Sequence, residues 1–469
     1  MELRNICAAI VSAVLAASCG GGGGGGGGDA TAACGVEGEK QLVLDTTRNA
    51  YLFLELLPAS IDPAQFATAD ALLDAMTATA RAQQKDRFFS FLTSISSEQQ
   101  FFASAESIGF GITRIETDRV NDIPTRVFVT QVFDGSAAFD AGFRRGDEIL
   151  QVGTTAATLV DVRTLLQTPT GFTDALGPNE TGVTRVFRVR TRTGQEVERI
   201  VAKRAFSLDP VPDAFIIGAG SSTPVGYVNL RTFVSPADNL LRNAFAQFRA
   251  PNNNVRNVII DLRYNGGGLV STAEILGSLL AQQAATSSSI MHRTQFNARR
   301  ATIDVRFRQE GEAIEPVTIA FLTTNASASA SELVINSLSP YARTVIVGEA
   351  TFGKPVGQEA FDLQGCDTRL RLVSFKSVNS LNYGDYYTGL QPGAGFTDDF
   401  CPAPDDLSRD QGDPSEGMTA AALAWINGGA CPAPATQKLG AAPATAFSGQ
   451  YPELPRRPTP PQVYQPGFM

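Results

Sequence analysis

The sequence predicts a multidomain α+β and α/β protein, with a helical N-terminal domain, a smaller strand-rich unit and a larger α/β core. Three observations predict it. Leu and Ala recur at helical spacing from Gln41 to Leu57 and from Ala67 to Ala82. Beyond Ser107 the period shifts to the alternation of a half-buried strand, plainest in Arg126-Val-Phe-Val-Thr-Gln-Val132. From Thr223 onward, apolar strands at 224–230, 255–261, 318–324 and 344–348 alternate with helical segments such as 239–248. That alternation is the signature of an α/β core.

At 469 residues the chain is long enough for two or three domains with sizeable cores. A hydrophobic share of 43% and a charged share of 18% are those of an ordinary folded protein. A net charge of −9 offers no basic surface to a polyanion, so no nucleic-acid partner is expected. With His292 as the single histidine and no cysteine spacing of metal-ligand type, neither a metal nor an organic cofactor is expected.

Residues 1–18 read as a signal peptide, because Arg4 precedes an apolar run, Ile6 to Ala17, too short to span a bilayer comfortably. Leu15-Ala-Ala-Ser-Cys19 resembles a bacterial lipobox, although the leucine lies one place farther from the cysteine than is usual. The resemblance implies lipidation of Cys19. Gly20 to Gly28 form an unbroken glycine run that completes a tether over 19–34, with a reach of at most ~30 Å at ~3.3–3.6 Å per residue. The helical domain is placed at 35–104, and its aromatic-dense stretch Asp86-Arg-Phe-Phe-Ser-Phe-Leu92 is read as packing rather than chemistry. Cys34, Cys366, Cys401 and Cys431 remain after the signal and Cys19 are set aside. An even number in an oxidising compartment suggests disulfides, with three connectivities open. Cys366 with Cys401 is the preferred pair, both lying late in the chain.

In the unit at 105–206, Ile108-Gly-Phe-Gly-Ile112 precedes the alternating strand, and Ala141-Gly-Phe-Arg-Arg-Gly-Asp-Glu-Ile-Leu150 follows it. Glycines at 109 and 111 allow a backbone to approach an anion closely. The two segments together resemble a PDZ domain. The resemblance implies that Gly109, Phe110, Gly111 and Ile112 form a carboxylate-binding loop, beside which a captured peptide adds a strand to the sheet.

The core is placed at 207–431. Within it, the strand ending at Thr324 runs into Asn325-Ala-Ser-Ala-Ser-Ala-Ser331, and a helix follows from Glu332 to Leu338. A serine at a strand-to-helix turn is exposed beside backbone N–H groups, which suits a nucleophile next to an oxyanion site. An ordinary N-cap, Ser331 with Glu332, accounts for the stretch equally well. Lys354 lies in Gly348-Glu-Ala-Thr-Phe-Gly-Lys-Pro-Val-Gly-Gln358, an apolar, glycine-flanked setting. A lysine with an ordinary pKa of ~10.4 must be largely neutral to accept a proton, and burial supplies that shift. Gln358 could orient the amine without adding charge.

Together these segments resemble the C-terminal processing peptidases, or tail-specific proteases, which are serine–lysine peptidases with a PDZ domain and a crotonase-like ββα core. The family's separation of nucleophile and lysine selects Ser329, which lies 25 residues before Lys354. The resemblance thus implies Ser329 as nucleophile, Lys354 as general base and Gln358 as its orienter, and leaves Ser327 and Ser331 to structural roles. Asp261-Leu-Arg-Tyr-Asn-Gly-Gly-Gly268 resembles the family turn that lends a backbone N–H to the oxyanion hole. That implies Gly267 (or its neighbour Gly268) as one donor and Ala330 as the other. The likeness covers about 105–428. It departs from the family at Pro355, where glycine is usual, and at Pro340, where some members place an acidic residue.

The expected protein is a serine endopeptidase of the bacterial envelope that takes proteins or peptides with exposed C-termini. It would be lipid-anchored on the periplasmic side, at the outer rather than the inner membrane. The alternative is an inactive PDZ-containing lipoprotein that binds peptides without turnover. Residues 432–469, rich in Pro and Ala and without periodicity, are expected to be a disordered tail.

Overall fold

The computed structural model describes residues 34–118, 120–121, 123–253, 255–392, 399–428, 431 and 457–469. The expected signal peptide, Cys19 and the glycine run lie outside the described residues.

A mixed α/β architecture is built around a six-stranded sheet. Five strands run parallel in the order Val225–Asn229, Asn257–Asp261, Thr318–Thr323, Arg343–Gly348 and Asp399–Pro402, and Asp213–Ile217 is antiparallel at one edge. The inner strands are near-continuous apolar runs because both faces are covered, as parallel sheets require. Val228, Ile260, Phe321 and Ile346 pack under the helices Ser235–Arg249, Val270–Leu279 and Ala330–Leu338. Alternate residues Tyr227, Ile259, Leu322 and Val347 meet Met418 and Trp425 of the helix Gly417–Gly428. Asp261 pairs with Leu322 across neighbouring parallel strands. The turns after both strands therefore leave from the same sheet edge, the carboxyl end where α/β sheets place their sites.

A second sheet carries Lys354's neighbourhood. Arg369–Asn379 pairs with Phe91–Thr93, with Ile290–Phe296 and with Val356–Asp362, and Ile303–Arg306 completes it. The helices Val36–Ala50 and Ala69–Ala82 bury Val43, Leu72, Leu73 and Met76 against Val356, Leu370 and Leu372 of this sheet. The expected helical domain is accordingly not separate: it shares a core with the α/β part and lends it a strand. Its first helix stops at Ala50 rather than running to Leu57. Tyr51 and Leu52 leave the helical path because the Tyr51 hydroxyl donates to Asp86 at 2.9 Å and the Leu52 N–H to the Val373 carbonyl.

In the unit between them, Glu106–Gly109 pairs with Arg204–Ser207 and closes the segment on itself. Its six-stranded sheet includes Ile112–Thr117, Arg126–Val132, Glu148–Gly153, Thr184–Arg190 and Glu196–Ala202, around a core of Phe110, Phe143 and Phe187.

Two expectations are corrected. Residues 457–469 are packed rather than disordered: a short helix, Pro460–Tyr464, is followed by Phe468 and Met469, both buried. Pro and Ala dominated the compositional reading, yet Val463, Tyr464, Phe468 and Met469 supply enough apolar surface to dock, and Arg457 pairs with Glu39 at 2.6 Å and Asp70 at 2.8 Å. The disulfides are Cys34–Cys366 and Cys401–Cys431, with Cα separations of 5.4 and 5.2 Å, not Cys366–Cys401. Cys366 sits in the turn between Val356–Asp362 and Arg369–Asn379, facing the start of the first helix, whereas Cys401 is a strand residue of the other sheet. A shared late region of the chain was the wrong guide. No helix among the described residues is long and apolar enough to cross a membrane.

The Cys34–Cys366 bridge closes a loop with a sequence separation of 332. Replacing both cysteines by serine should lower stability by roughly 2–5 kcal/mol. Chemical denaturation of the oxidised protein and of the double variant measures the difference.

Candidate active site

The strand Thr318–Thr323 ends in a turn whose three serines do three different things. Ser327 donates to the Leu262 carbonyl at 2.7 Å and accepts from the Thr324 N–H at 3.1 Å. Ser331 donates to the Asn265 carbonyl at 2.9 Å. Both are spent on tying the turn to its neighbour. Ser329, between them, caps the helix Ala330–Leu338 with φ +56° and ψ −109°. A non-glycine residue in that region is strained, and persists only where its surroundings over-determine it.

The neighbour is Leu262–Gly268. The Asn265 carbonyl also accepts from the Ala328 N–H at 3.0 Å. Gly267 (φ +108°) comes so close that a Cβ there would lie 2.9 Å from the Ser329 Cβ and 3.0 Å from the Ala330 nitrogen. Only glycine tolerates both the angle and the approach. The two expected oxyanion donors are thus brought to the serine. In this arrangement, however, the Gly267 N–H donates to Asn265 Oδ1 at 2.9 Å.

Glu332 was read only as a cap, and it is the centre of the site. Wholly buried, its carboxylate accepts from the N–H of Ser329 (2.8 Å), Gly353 (2.6 Å) and Lys354 (2.8 Å), and from the Thr351 hydroxyl (2.6 Å). Ser329 and Lys354 share one oxygen, so their nitrogens lie no farther apart than twice 2.8 Å. Burial raises the Glu332 pKa, while the four donors oppose the rise by favouring the carboxylate.

The Lys354 side chain runs into a buried slot, 6% exposed, where its amine lies 5.0 Å from the centre of the Phe89 ring. Burial pulls its pKa down to about 8. Arg371 and Arg87 add to that shift; Asp86 and Glu332 oppose it. Nζ donates to Gln358 Oε1 at 2.8 Å and not to Ser329 Oγ. Gln358 is itself held by the Phe89 carbonyl. Asp86 fixes that stretch, accepting from the Phe89 N–H (2.8 Å) and from the Ser90 hydroxyl (2.7 Å). Arg87 donates to the Phe352 and Gly353 carbonyls, on the loop that carries Lys354. The stretch 86–92, assigned to packing from sequence, therefore lines the lysine. Its acid, base and aromatics were visible there, but nothing local connected them to position 354.

The proline at 355 is accommodated: its carbonyl accepts from the Ser377 N–H at 3.1 Å, and Lys354 supplies the N–H that Glu332 needs. His292 faces Glu274 at 3.4 Å, in the core. No group of three or more potential metal ligands occurs among the described residues.

In the strand-rich unit, the N–H groups of Phe110 and Gly111 both donate to the Met469 oxygen, at 3.0 and 3.1 Å, and the Ile112 carbonyl accepts from the Met469 N–H at 3.0 Å. A Cβ at Gly109 would touch the Phe468 ring at 2.9 Å. All four expected loop residues thus meet one segment of the same chain.

Residues 224–389 match the description "Peptidase family S41". That segment holds the serine turn, Lys354, Gln358 and the Gly267 turn. This segment is similar to peptidase family S41. Carboxyl-terminal-processing peptidase 2, chloroplastic, of Arabidopsis thaliana is 30% identical over 51% of this chain and 44% of its own length. A carboxy-terminal-processing protease of Bartonella bacilliformis is 26% identical over 62% and 61% respectively. A solved Bacteroides fragilis structure described as an S41 protease superposes with a TM-score of 0.64 at 25% identity, covering 83% of this chain and 97% of that one. The chain spans about half the length of the chloroplast and cyanobacterial relatives it matches. Phe89, Asp86 and the loop at 109–112 lie outside the S41 segment, so the lysine's slot is completed by residues beyond it.

A lysine whose pKa is lowered by burial carries a stability cost that is full below its folded pKa of about 8, where the buried amine is charged, and vanishes above its ordinary value. Lys354→Met should therefore raise stability by up to about 3 kcal/mol near pH 6.5, with the gain shrinking toward pH 10. Denaturant melts at the two pH values check both sign and window.

Proposed function

We propose that this chain is a serine endopeptidase of the bacterial cell envelope, in which Ser329 is the nucleophile and Lys354 the general base. The observation that carries the reading is the Glu332 carboxylate, which holds a strained serine and a buried, low-pKa lysine on one oxygen. Neutral Lys354 takes the hydroxyl proton as Ser329 Oγ attacks the scissile carbonyl carbon. The tetrahedral oxyanion is met by the N–H groups of Ala330 and Gly267. Collapse breaks the C–N bond, and the leaving amine takes the proton from the lysine ammonium. Water, deprotonated by the regenerated Lys354 amine, then attacks the acyl ester; the C–O bond to Ser329 breaks and Oγ recovers the proton from the lysine.

The resting geometry is compatible with this sequence of steps. Lys354 Nζ donates to Gln358, which would leave the neutral amine's lone pair to accept from the Ser329 hydroxyl, and the Gly267 N–H would exchange Asn265 for the oxyanion. Catalytic hydrogen bonds commonly tighten only in the Michaelis complex. The unit at 105–206 would act as a PDZ domain that presents a protein C-terminus, with Gly109 to Ile112 as its carboxylate loop. An envelope location is supported by the signal-like residues 1–18 and by the two disulfides, which persist in oxidising compartments. Lipidation at Cys19 belongs to the same reading.

Ser329→Ala or Lys354→Ala should reduce cleavage of an unfolded, apolar-tailed reporter protein by at least ~10⁴-fold, whereas folded His292→Ala should cleave normally. Unchanged cleavage by Ser329→Ala would end the assignment. The pH profile is a second check. Since the neutral amine is the working form, kcat/KM should climb about tenfold per pH unit and level off above about 8. A midpoint at the ordinary imidazole value would point to another base.

A further inference from the structure

The loop expected to bind peptide carboxylates is filled by residues of the chain itself. Met469 takes both N–H groups of Phe110 and Gly111 on its oxygen and gives its own N–H to Ile112. Phe468 bridges antiparallel to Thr113, and the Gly467 carbonyl accepts from the Arg114 N–H at 3.0 Å. The segment thus extends the sheet by a strand, the way a groove of this kind takes a ligand.

Each of the three residues is matched by its own feature. The Met469 side chain is 2% exposed, packed into the unit's core with Phe110 and Ile112, and its sulfur lies 3.9 Å from an Arg114 guanidinium nitrogen. Phe468 lies against Phe133 and Phe206, with centroids at 6.1 and 6.3 Å. Gly467 adopts φ +80°, and a Cβ there would stand 2.1 Å from the Arg114 carbonyl oxygen, so no other residue fits. Upstream, Tyr464 stacks on Phe101 and meets Phe102 at a tilt, and its carbonyl accepts from the Gly266 N–H at 3.1 Å. Gly266 precedes the glycine brought to Ser329. The segment therefore runs from the groove to the edge of the catalytic turn, along the path a captured substrate would take.

We propose that Gly467-Phe468-Met469 is a resident ligand of the groove, bound in cis, and that the partners admitted to the site are peptides ending in Gly-Phe-Met-like sequences able to displace it. The matching is specific: a small residue of positive φ, then an aromatic, then a long flexible apolar side chain whose backbone oxygen takes two N–H groups. The activity half of the proposal rests on the peptidase reading above; the binding half does not.

The test compares the full chain with a variant lacking Gly467–Met469 and with full-length Met469→Asp, which retains every upstream contact should the deletion fold poorly. The probe is a fluorescent Tyr-Gln-Pro-Gly-Phe-Met peptide, with free carboxylate or amidated, followed by anisotropy. Both variants should bind the free acid at least tenfold more tightly than the full chain does, since a site open only a fraction of the time loses apparent affinity by that fraction. The amide should bind at least tenfold more weakly than the acid. Equal affinity of full chain and variants, or equal affinity for acid and amide, overturns the proposal. So does a full chain that sediments as a dimer whose groove opens on dilution, because the ligand would then come from a second copy. The same variants should cleave a reporter ending in Gly-Phe-Met at least tenfold faster than the full chain. If binding behaves as stated and none of the proteins cleaves, the peptidase reading fails while the resident ligand stands.

Discussion

The Glu332 carboxylate is the constraint on which the rest of the site depends. Four donors from two segments converge on it: the serine's own N–H and, from the lysine loop, two N–H groups and the Thr351 hydroxyl. A buried carboxylate with fewer partners would protonate or destabilise the fold. With four it becomes a rigid post. The positive φ of Ser329 follows from it, because the N–H must point at Oε2 while the chain enters the helix. The placement of Lys354 follows too, since Gly353 and Lys354 are pinned within one hydrogen bond of the same group.

The lysine's slot shows how the outlying parts of the chain are recruited. The α/β sheet supplies the serine and the Gly267 turn, and the second sheet supplies Gln358. The last wall, Phe89, arrives with the N-terminal segment, positioned by Asp86 and by the strand Phe91–Thr93 alongside Arg369–Asn379. Desolvation of the amine is what lowers its pKa, and desolvation is a property of the closed slot rather than of position 354 alone. The low pKa of Lys354 therefore depends on the N-terminal segment as much as on its own loop.

These facts explain what was legible in the sequence and what was not. The strand Arg126–Val132 and the serine helix were readable because alternation, helical spacing and capping are local. Ser329, Lys354 and Gln358 were nameable because their spacing along the chain is itself a motif. Glu332 stood in full view as a capping residue, but its partners at 351, 353 and 354 lie across a strand and could not be counted locally. Asp86 and Phe89 were read as packing for the same reason, their partners being some 265 residues away or more. The docking of 457–469 was hidden differently. Composition averages over prolines and alanines, whereas binding depends on three residues matching one groove. The disulfides failed on topology, since Cys366 lies in a turn of one sheet and Cys401 on a strand of the other.

Between groove and serine lies a second buried cluster that fixes the turn from below. Arg263 is wholly buried and pairs with Asp261 (2.6 Å), Asp405 (3.0 Å) and Glu416 (3.0 Å). Arg145, from the strand-rich unit, reaches the same Asp405 at 2.5 Å and the Tyr264 hydroxyl at 2.6 Å. Such ion clusters are poor stabilisers, because desolvation offsets most of the attraction, yet removing one member strands the others at a cost of about 3–5 kcal/mol. Their effect is therefore on geometry. Tyr264, itself at φ +63°, is held between Arg145 and Asp405 and opens the turn that ends in Gly266 and Gly267. The backbone that approaches Ser329 is thus registered against both the sheet and the strand-rich unit. A strand-rich unit that changed its seat on the core would have to move Arg145, and with it the tyrosine that leads into the glycines beside Ser329.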